Sequence, residues 1–168
     1  LTAEKVAQQW KVSREDQDAF AVESHRRACA AIAAGQFADE ILPYAVKSYA
    51  PGVDGTVRIT ERLVEHDEGP RPDAAADRLG KLKPVFAARG SVTAGNSSQM
   101  SDGAAAVLLM SETALKRYDV TPIARFSSFA VAGVPPEVMG IGPVEAIPRA
   151  LARAGVALAD IGWTELNE

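Results

Sequence analysis

Cysteine and histidine are nearly absent from this sequence. Its 168 residues contain one cysteine, Cys29, and two histidines, His25 and His66. One cysteine cannot close an internal disulfide or form a two-cysteine metal knuckle, which favours a reducing compartment. Two histidines are too few for a multi-histidine metal site, so we expect no metal. No partner in the sequence makes Cys29 or His25 a nucleophile, and neither is a catalytic candidate.

Long apolar runs and positive charge are lacking as well. No stretch reaches the roughly 18 apolar residues that a membrane span requires, so we expect no membrane insertion. The net charge of −4 gives no general attraction to nucleic acid. The sequence starts without a methionine or a secretory signal and stops directly after an apolar run, so we expect a segment of a longer protein.

The first hundred residues predict a helical and loop-rich region. The pattern predicts helices over 2–11, from Ser13 to about 34 and over 74–82, an extended segment over 40–48, a turn at 54–55 and a loop over 65–73. In the long helix we expect one apolar stripe facing the core, formed by Phe20, Ser24, Ala28 and Ile32. The opposite, charged face then carries Glu15, Asp18, Arg26 and Arg27.

The second half has a different pattern. Apolar stretches at 104–110, 122–132 and 161–166 predict strands, separated by helices over 112–118 and from Pro143 to Gly155. A tight loop is expected over 135–142, and Pro148 offers an alternative start for the last helix. The order β-α-β-α-β favours an α/β layer with a mostly parallel sheet.

Residues 91–103 are dominated by small and hydroxylated side chains. Gly95 permits close approach of another group, and Ser97 and Ser98 can hydrogen-bond an amide-bearing ligand. The same composition is typical of an ordinary turn, which is the more frequent outcome for such a segment.

Three further positions each have a functional and a structural interpretation. The loop from Met139 to Pro143 either offers a helix N-terminus to an anion or carbonyl, or is a tight strand-to-helix turn. Arg71 either grips a phosphate or is a solvated loop charge. Asn167 either belongs to a site at the end of a buried strand or is a satisfied strand-end amide.

Six short strings occur in order along the whole chain. They are Thr2-Ala3-Glu4 with Ser13-Arg14 and Gln17-Asp18; Asp67-Glu68-x-x-Arg71; Lys81-Leu82-Lys83-Pro84-x-Phe86; Thr93-Ala94-Gly95-Asn96-Ser97-Ser98 with Asp102-Gly103-Ala104-Ala105; Gly133-Val134-x-Pro136-x-x-Met139-Gly140-x-Gly142-Pro143; and Glu165-x-Asn167-Glu168. Together they resemble the thiolases. The form around Gln99 is more similar to the degradative 3-ketoacyl-CoA thiolases than to the acetoacetyl-CoA biosynthetic branch.

The resemblance implies an incomplete α/β chain of the layered αβαβα thiolase fold with a helical, loop-rich CoA-binding lid. It implies a lid over 1–100, the end of the N-terminal core half over 101–121 and the start of the C-terminal half over 122–168. It also implies cleavage of 3-ketoacyl-CoA by CoA in fatty acid β-oxidation. Coenzyme A is then a substrate, and no cofactor is permanently bound.

The resemblance carries roles to six positions. Ser98, Phe86 and Ala94 match positions that contact the pantetheine arm, and Arg71 matches a loop arginine near the nucleotide end of CoA. Met139 matches an acyl-pocket methionine, and Asn167 matches the asparagine that holds the water of an oxyanion hole. The nucleophilic cysteine, the acid/base cysteine and the histidine of the family match no residue here, so the segment alone is expected to be inactive.

Other functions stay open at this point. A non-catalytic CoA-binding module would use only Ser98 and Arg71, and a structural or partner-binding segment would use neither. The biosynthetic branch is a further alternative. Thiolases are dimers or tetramers, so the resemblance implies a homo-oligomer that binds acyl-CoA and CoA. The abundance of Ala and Arg favours a bacterial cytoplasm over a peroxisome or mitochondrion.

Overall fold

Helices dominate the computed structural model, which describes residues 1–167. In chain order, the elements are α1 (Thr2–Trp10), α2 (Arg14–Ala33), β1 (Tyr44–Pro51), β2 (Val57–Val64), α3 (Ala76–Leu79), α4 (Glu112–Tyr118), a 3₁₀ helix (Pro136–Ile141), α5 (Gly142–Ala154) and a 3₁₀ turn (Leu158–Asp160). The chain divides into two units, each of which is described separately.

The first unit contains Leu1–Ser13, Pro84–Val92 and the residues from Ser97 onward. Helix α1 packs against the 3₁₀ helix Pro136–Ile141. The buried apolar side chains of this unit are small or β-branched: Ala7, Val92 and Val138. Helix α1 ends at Lys11, whose left-handed backbone, with φ of 57°, directs its N–H to the carbonyl of Ala7.

The second unit contains Arg14–Lys83 and Thr93–Asn96. Strands β1 and β2 form an antiparallel hairpin in which Tyr44 pairs with Val64. The turn between them uses Gly55 with φ of 77°, a conformation that glycine adopts without steric cost. The predicted Asp54-Gly55 turn and the loop over 65–73 are confirmed, whereas the extended segment expected over 40–48 begins only at Tyr44 and continues to Pro51.

Helix α2 has the predicted length but not the predicted buried face. Phe20 is 72% exposed, whereas Asp18, which we placed on the outer face, is only 5% exposed. The reason is the neighbour of α2: it contacts α3, and the polar turn at 93–96 hydrogen-bonds to Asp18. A charged side chain is tolerated there because it is paired and hydrogen-bonded.

The predicted strands of the second half do not form. Within residues 1–167 the segments 104–110, 122–132 and 161–166 belong to no sheet, and the side chain of Leu108 is 82% exposed. The one sheet of these residues is the β1–β2 hairpin. A strand exists only when a neighbour takes its backbone hydrogen bonds, and these segments have no such neighbour in the described chain.

The helices of the second half were predicted correctly. Ser111 caps α4 by accepting a hydrogen bond from the N–H of Ala114, and Gly155 ends α5 with φ of 66°. The alternative start at Pro148 is wrong, because α5 already begins at Gly142 and continues through this proline. The expected tight loop over 135–142 is instead mostly the 3₁₀ helix. No helix within residues 1–167 combines the length and apolar character that a membrane crossing requires.

Candidate functional site

The start of α2 carries a buried ion pair. The guanidinium Nε of Arg14 donates to the carboxylate of Asp18 at 2.7 Å, one helical turn further on. The same guanidinium donates to the carbonyl of Leu79 at 2.5 Å and to that of Leu82 at 3.2 Å. Arg14 therefore connects α2 to two carbonyls at and just beyond the end of α3, of which that of Leu79 also accepts the N–H of Leu82 at 2.9 Å.

Asp18 also holds the turn formed by residues 93–96. Its second carboxylate oxygen accepts a hydrogen bond from Nδ2 of Asn96 at 2.9 Å. The amide oxygen of Asn96 in turn accepts the backbone N–H of Thr93 at 2.8 Å. The hydroxyl of Thr93, which is completely buried, accepts the N–H of Gly95 at 3.2 Å. The turn is thus fixed by side chains at both of its ends.

Gly95 packs closely against the leucines of the same unit. A Cβ atom at this position would lie 2.6 Å from Cδ1 of Leu82 and 3.0 Å from Cγ of Leu79. Real Cβ atoms do not approach a neighbour as closely as 2.6 Å, so any other residue at this position would require a leucine side chain to shift. The close approach expected from the sequence is made by these two side chains, and Ala94 stays exposed on the turn.

A second carboxylate, that of Glu4 in α1, holds the segment just before this turn. It accepts the backbone N–H groups of Ser91 and Val92 at 2.9 Å and the hydroxyl of Ser91 at 3.1 Å. Burial raises the pKa of the Glu4 carboxyl, but these donors outweigh burial and hold that pKa below its ordinary value. Glu4 is therefore ionised at neutral pH.

Phe86 lies in the short loop that Glu4 closes. The N–H of Val85 donates to the carbonyl of Val92 at 3.0 Å, so residues 85 and 92 form the neck of this loop. The ring of Phe86 is 53% exposed. Gly90 belongs to the same loop, and a side chain there would collide with the Glu4 carboxylate.

Arg71 projects from the loop over 65–73, as predicted. Its backbone N–H donates to Nδ1 of His25 at 3.1 Å, and its side chain lies 3.4 Å from the carboxylate of Asp73. Lost hydration raises the pKa of Asp73, but the charge and hydrogen bond of Arg71 outweigh it, so that pKa lies below its usual range. His25, for which the sequence indicated no catalytic role, is half-buried and secures this loop.

The remaining candidates lie in the first unit. The hydroxyl of Ser98 donates to the carbonyl of Gln99 at 3.2 Å, and Met139, in the 3₁₀ helix, is 64% exposed. Asn167 is exposed and follows a segment that forms no strand, so the buried strand end expected there is not observed in the described residues. Its neighbour Glu168 lies outside them. Cys29 is half-buried on α2.

All six residues predicted from the resemblance are exposed, and the structure divides them between its units. Arg71 and Ala94 belong to the second unit, whereas Phe86, Ser98, Met139 and Asn167 belong to the first. Within residues 1–167, no group of three or more His, Cys, Asp or Glu side chains is placed to hold a metal ion.

Sequence reasoning missed the residues that hold the segments around Phe86 and Ala94 in place. They are Glu4, Arg14, Asp18 and Asn96. The i, i+4 spacing of Arg14 and Asp18 signalled their ion pair, but nothing in the pattern signalled its burial. The contacts of Asn96 with Asp18 and of Glu4 with Ser91 join distant parts of the sequence, where local patterns give no information.

Family comparisons decide the identity of this scaffold. The family model of the thiolase N-terminal domain matches residues 1–113, and that of the thiolase C-terminal domain matches residues 120–168. The chain belongs to the thiolase family. The resemblance inferred from six strings is therefore confirmed.

Curated thiolases match the chain over nearly all its length. A 3-ketoacyl-CoA thiolase of Bacillus subtilis (strain 168) is 56% identical over 99% of this chain and 43% of its own length. The peroxisomal 3-ketoacyl-CoA thiolase 2 of Arabidopsis thaliana is 49% identical over 100% of this chain and 36% of its own length. An acetyl-CoA acetyltransferase of Rhizobium meliloti (strain 1021) is 46% identical over 100% of this chain and 40% of its own length. The chain thus spans about two fifths of these thiolases.

Solved thiolase structures confirm the predicted fold class. The acetyl-CoA acetyltransferase of Bacillus anthracis superposes with a TM-score of 0.84 at 42% identity, covering 95% of this chain and 38% of that one. Human mitochondrial 3-ketoacyl-CoA thiolase in complex with CoA gives a TM-score of 0.81 at 42% identity, and the superposition covers 95% of this chain and 37% of the human one. The chain is therefore an incomplete α/β thiolase.

Proposed function

We propose that the protein carrying this chain is a 3-ketoacyl-CoA thiolase, an acyltransferase that cleaves 3-ketoacyl-CoA with CoA into acetyl-CoA and a shortened acyl-CoA. The observation that carries this proposal is the 56% identity to the Bacillus subtilis 3-ketoacyl-CoA thiolase across 99% of the chain. The serine-glutamine form at Ser98-Gln99 supports the same degradative branch. This reaction places the protein in fatty acid β-oxidation.

The chemistry proceeds in two acyl transfers. A cysteine thiolate attacks the C3 carbonyl carbon of the substrate, and the C2–C3 bond then breaks. The electron pair goes to C2, which takes a proton and leaves as acetyl-CoA. The thiol sulfur of a second CoA then attacks the acyl carbon, the bond from that carbon to the cysteine sulfur breaks, and the cysteine leaves as a thiolate. Dividing the cleavage in this way replaces one difficult step with two easier ones.

This chain supplies binding groups rather than the nucleophile. Cys29 is half-buried in α2, and we assign it no role. The nucleophilic cysteine, the second cysteine and the histidine would come from the protein outside these 168 residues. Asn167 would hold the water that donates to the developing oxyanion, a contribution that works best when the donor is already in place.

The CoA-binding residues are exposed, as a ligand requires. Ser98 would hydrogen-bond the pantetheine arm, whose apolar parts would lie on Ala94 and Phe86. Arg71 would face the nucleotide end, where its guanidinium suits phosphate oxygens. Met139 would line the acyl pocket. The lid over 1–100 and the core portions over 101–121 and 122–168 remain predictions, as do a homodimeric or homotetrameric state and a bacterial cytoplasmic location.

The test is acyl transfer by the whole protein. Purified protein is given CoA with either 3-ketooctanoyl-CoA or acetoacetyl-CoA, and acetyl-CoA and the shortened acyl-CoA are measured by chromatography. We expect cleavage of both substrates with the larger kcat/KM for 3-ketooctanoyl-CoA. Binding of CoA without any acetyl-CoA formation would overturn the proposal in favour of a non-catalytic CoA-binding module.

A second assay identifies which residues contact the nucleotide end of CoA and which contact its pantetheine arm. Calorimetry compares CoA with pantetheine, which lacks the nucleotide. We expect Arg71→Ala to weaken CoA binding about tenfold, the value of one charge-assisted contact, and to leave pantetheine unaffected. Ser98→Ala should weaken both ligands by similar factors. Equal weakening of both ligands by Arg71→Ala would contradict the assignment of the nucleotide end.

An acetyl-CoA acetyltransferase is the second candidate. It is favoured by the 46% identity to the Rhizobium meliloti acetyl-CoA acetyltransferase and by the superposition on the Bacillus anthracis acetyltransferase. In that case acetoacetyl-CoA would be cleaved efficiently and 3-ketooctanoyl-CoA would be cleaved slowly or not at all. The same pair of substrates therefore separates the two branches.

A further inference from the structure

We propose that Asp18 is a positioning residue for CoA binding, and that it acts through Asn96 on the turn that presents Ala94. This inference rests on the proposed CoA-binding role of that turn. Asp18 itself touches no ligand. The sequence pattern placed Asp18 on the solvent-facing side of α2, but its exposed fraction in the structure is only 5%.

The network around Asp18 satisfies both of its oxygens within the second unit. One oxygen accepts Nε of Arg14 at 2.7 Å, and the other accepts Nδ2 of Asn96 at 2.9 Å. Asn96 uses its own oxygen for the N–H of Thr93 at 2.8 Å. A chain of donors and acceptors therefore runs from the Arg14 charge to the backbone at the first residue of the turn.

This chain of hydrogen bonds determines the orientation of Asn96. A carboxylate can only accept, so it requires the NH₂ group of the asparagine to face it. The amide oxygen is thereby directed to Thr93, and the backbone between Thr93 and Asn96 is closed into one shape. Ala94 lies inside that closed segment and is exposed, so the position of its backbone and methyl group follows from the charge at Asp18.

Exchanging the acid for an amide at position 18, or the amide for an acid at position 96, disrupts this order of donors and acceptors. In Asp18→Asn the new NH₂ group faces the NH₂ group of Asn96, and turning either amide over only moves the donor–donor conflict to Thr93 or Arg14. In Asn96→Asp two carboxylates face each other. A buried donor or acceptor without a partner costs more than an ordinary hydrogen bond contributes.

The double exchange restores the three hydrogen bonds that link Arg14, position 18, position 96 and Thr93. In Asp18→Asn/Asn96→Asp the oxygen of the new asparagine accepts from Arg14, and its NH₂ group donates to the new carboxylate. That carboxylate still accepts the N–H of Thr93. The total charge and the sizes of both side chains are unchanged, so the pair of exchanges isolates the coupling between the two positions.

The experiment measures CoA and pantetheine dissociation constants by calorimetry, and kcat and the KM for CoA, in the whole protein. For each single exchange we expect both dissociation constants and the KM to rise about tenfold, with kcat changing less than about threefold. The double exchange should return all three to within about threefold of wild type. Asp77→Asn, which removes the same charge from an exposed pair with Lys81, is the matched control and should change nothing.

The outcomes are distinct. A merely structural role would reduce the amount of folded enzyme and therefore kcat, while KM and the dissociation constants stayed at wild-type values; that result overturns the inference. A double exchange no better than the single ones would also overturn it. Failure of the wild-type protein to bind CoA would instead reject the proposed function.

Discussion

Two segments that lie close together in the sequence, 93–96 and 104–110, differ in burial in the opposite sense to their composition. The first is small and polar, yet Thr93 is fully buried and both Thr93 and Asn96 have hydrogen-bond partners. The second consists of alanine, valine, leucine and methionine, yet Val107 and Leu108 are 89% and 82% exposed. The polar turn finds its hydrogen-bond partners within this chain, whereas the apolar segment does not find its neighbours there.

The difference shows that burial follows the availability of partners. A turn needs only a few oriented groups, and Asp18 and Asn96 supply them. A strand of a parallel sheet needs a neighbour along each edge and cover on both faces. With about two fifths of a thiolase present, the first requirement is met and the second is not. Four predictions test this contrast, ordered by expected effect.

The largest effect is expected in the apolar segment of the whole protein. If residues 104–110 are a central strand once the fold is complete, Leu108→Asp introduces a buried charge and should lower the free energy of unfolding by more than about 4 kcal/mol. Urea denaturation of the whole protein measures this, with Ser101→Asp as a control outside the strand. An unchanged midpoint would mean that the segment is exposed in the whole protein as well.

Removing the guanidinium of Arg14 should have the next largest effect. Arg14→Ala leaves the buried Asp18 charge without its ion pair and removes one donor from each of the carbonyls of Leu79 and Leu82. We expect a loss of about 3 kcal/mol in the free energy of unfolding. Lys81→Ala, which breaks the exposed pair with Asp77, should cost less than about 0.5 kcal/mol. Similar losses in the two variants would show that burial of the ion pair is unimportant.

The hydroxyl of Thr93 should contribute a smaller amount. Thr93→Val keeps the shape of this fully buried side chain but leaves the N–H of Gly95 without its acceptor. We expect a loss of about 1–2 kcal/mol, measured by the shift of the urea midpoint. Thr93→Ser keeps the hydroxyl and should cost less than Thr93→Val. The reverse order would show that the methyl group rather than the hydroxyl matters.

The smallest effect concerns the pH dependence due to Glu4. Its pKa is lower in the folded protein than the ordinary value of 4.5, so the folded state favours the ionised form. The stabilisation is fully present above pH 4.5 and is lost as the pH falls through the folded pKa. Thermal unfolding of Glu4→Gln should therefore differ from wild type at pH 7 and converge on it in acid. A constant difference down to pH 2 would contradict ionic anchoring.

Much of the local structure could be predicted from local patterns. The helix over 112–118, the glycine that ends α5 and the Asp54-Gly55 turn all depend on neighbouring residues, and each was predicted. The family and its candidate site residues followed from the six strings. The contacts of those candidates with ligand remain predictions.

What could not be predicted depends on distant partners. The burial of Asp18 depends on its hydrogen bond with Asn96. Phe20 is exposed because no other element covers its face of α2 within the described residues. The three expected strands had the correct apolar composition, but hydrogen bonding between strands is a property of pairs and not of a single segment. Pro148 misled for a different reason: the ring removes one helical hydrogen bond, which the rest of α5 tolerates.

The hydrogen bond between Asp18 and Asn96 has a consequence for the order in which the chain folds. It joins positions 78 residues apart, and the Glu4–Ser91 contacts join positions 87 apart. Contacts of such separation require a large loop to close before they form, whereas α2 and the β1–β2 hairpin need only local closure. During synthesis the turn therefore cannot be set until Asn96 has left the ribosome, long after α2 has formed. The turn that carries Ala94, to which we assign a CoA contact by proposal, would be among the last parts of this region to form.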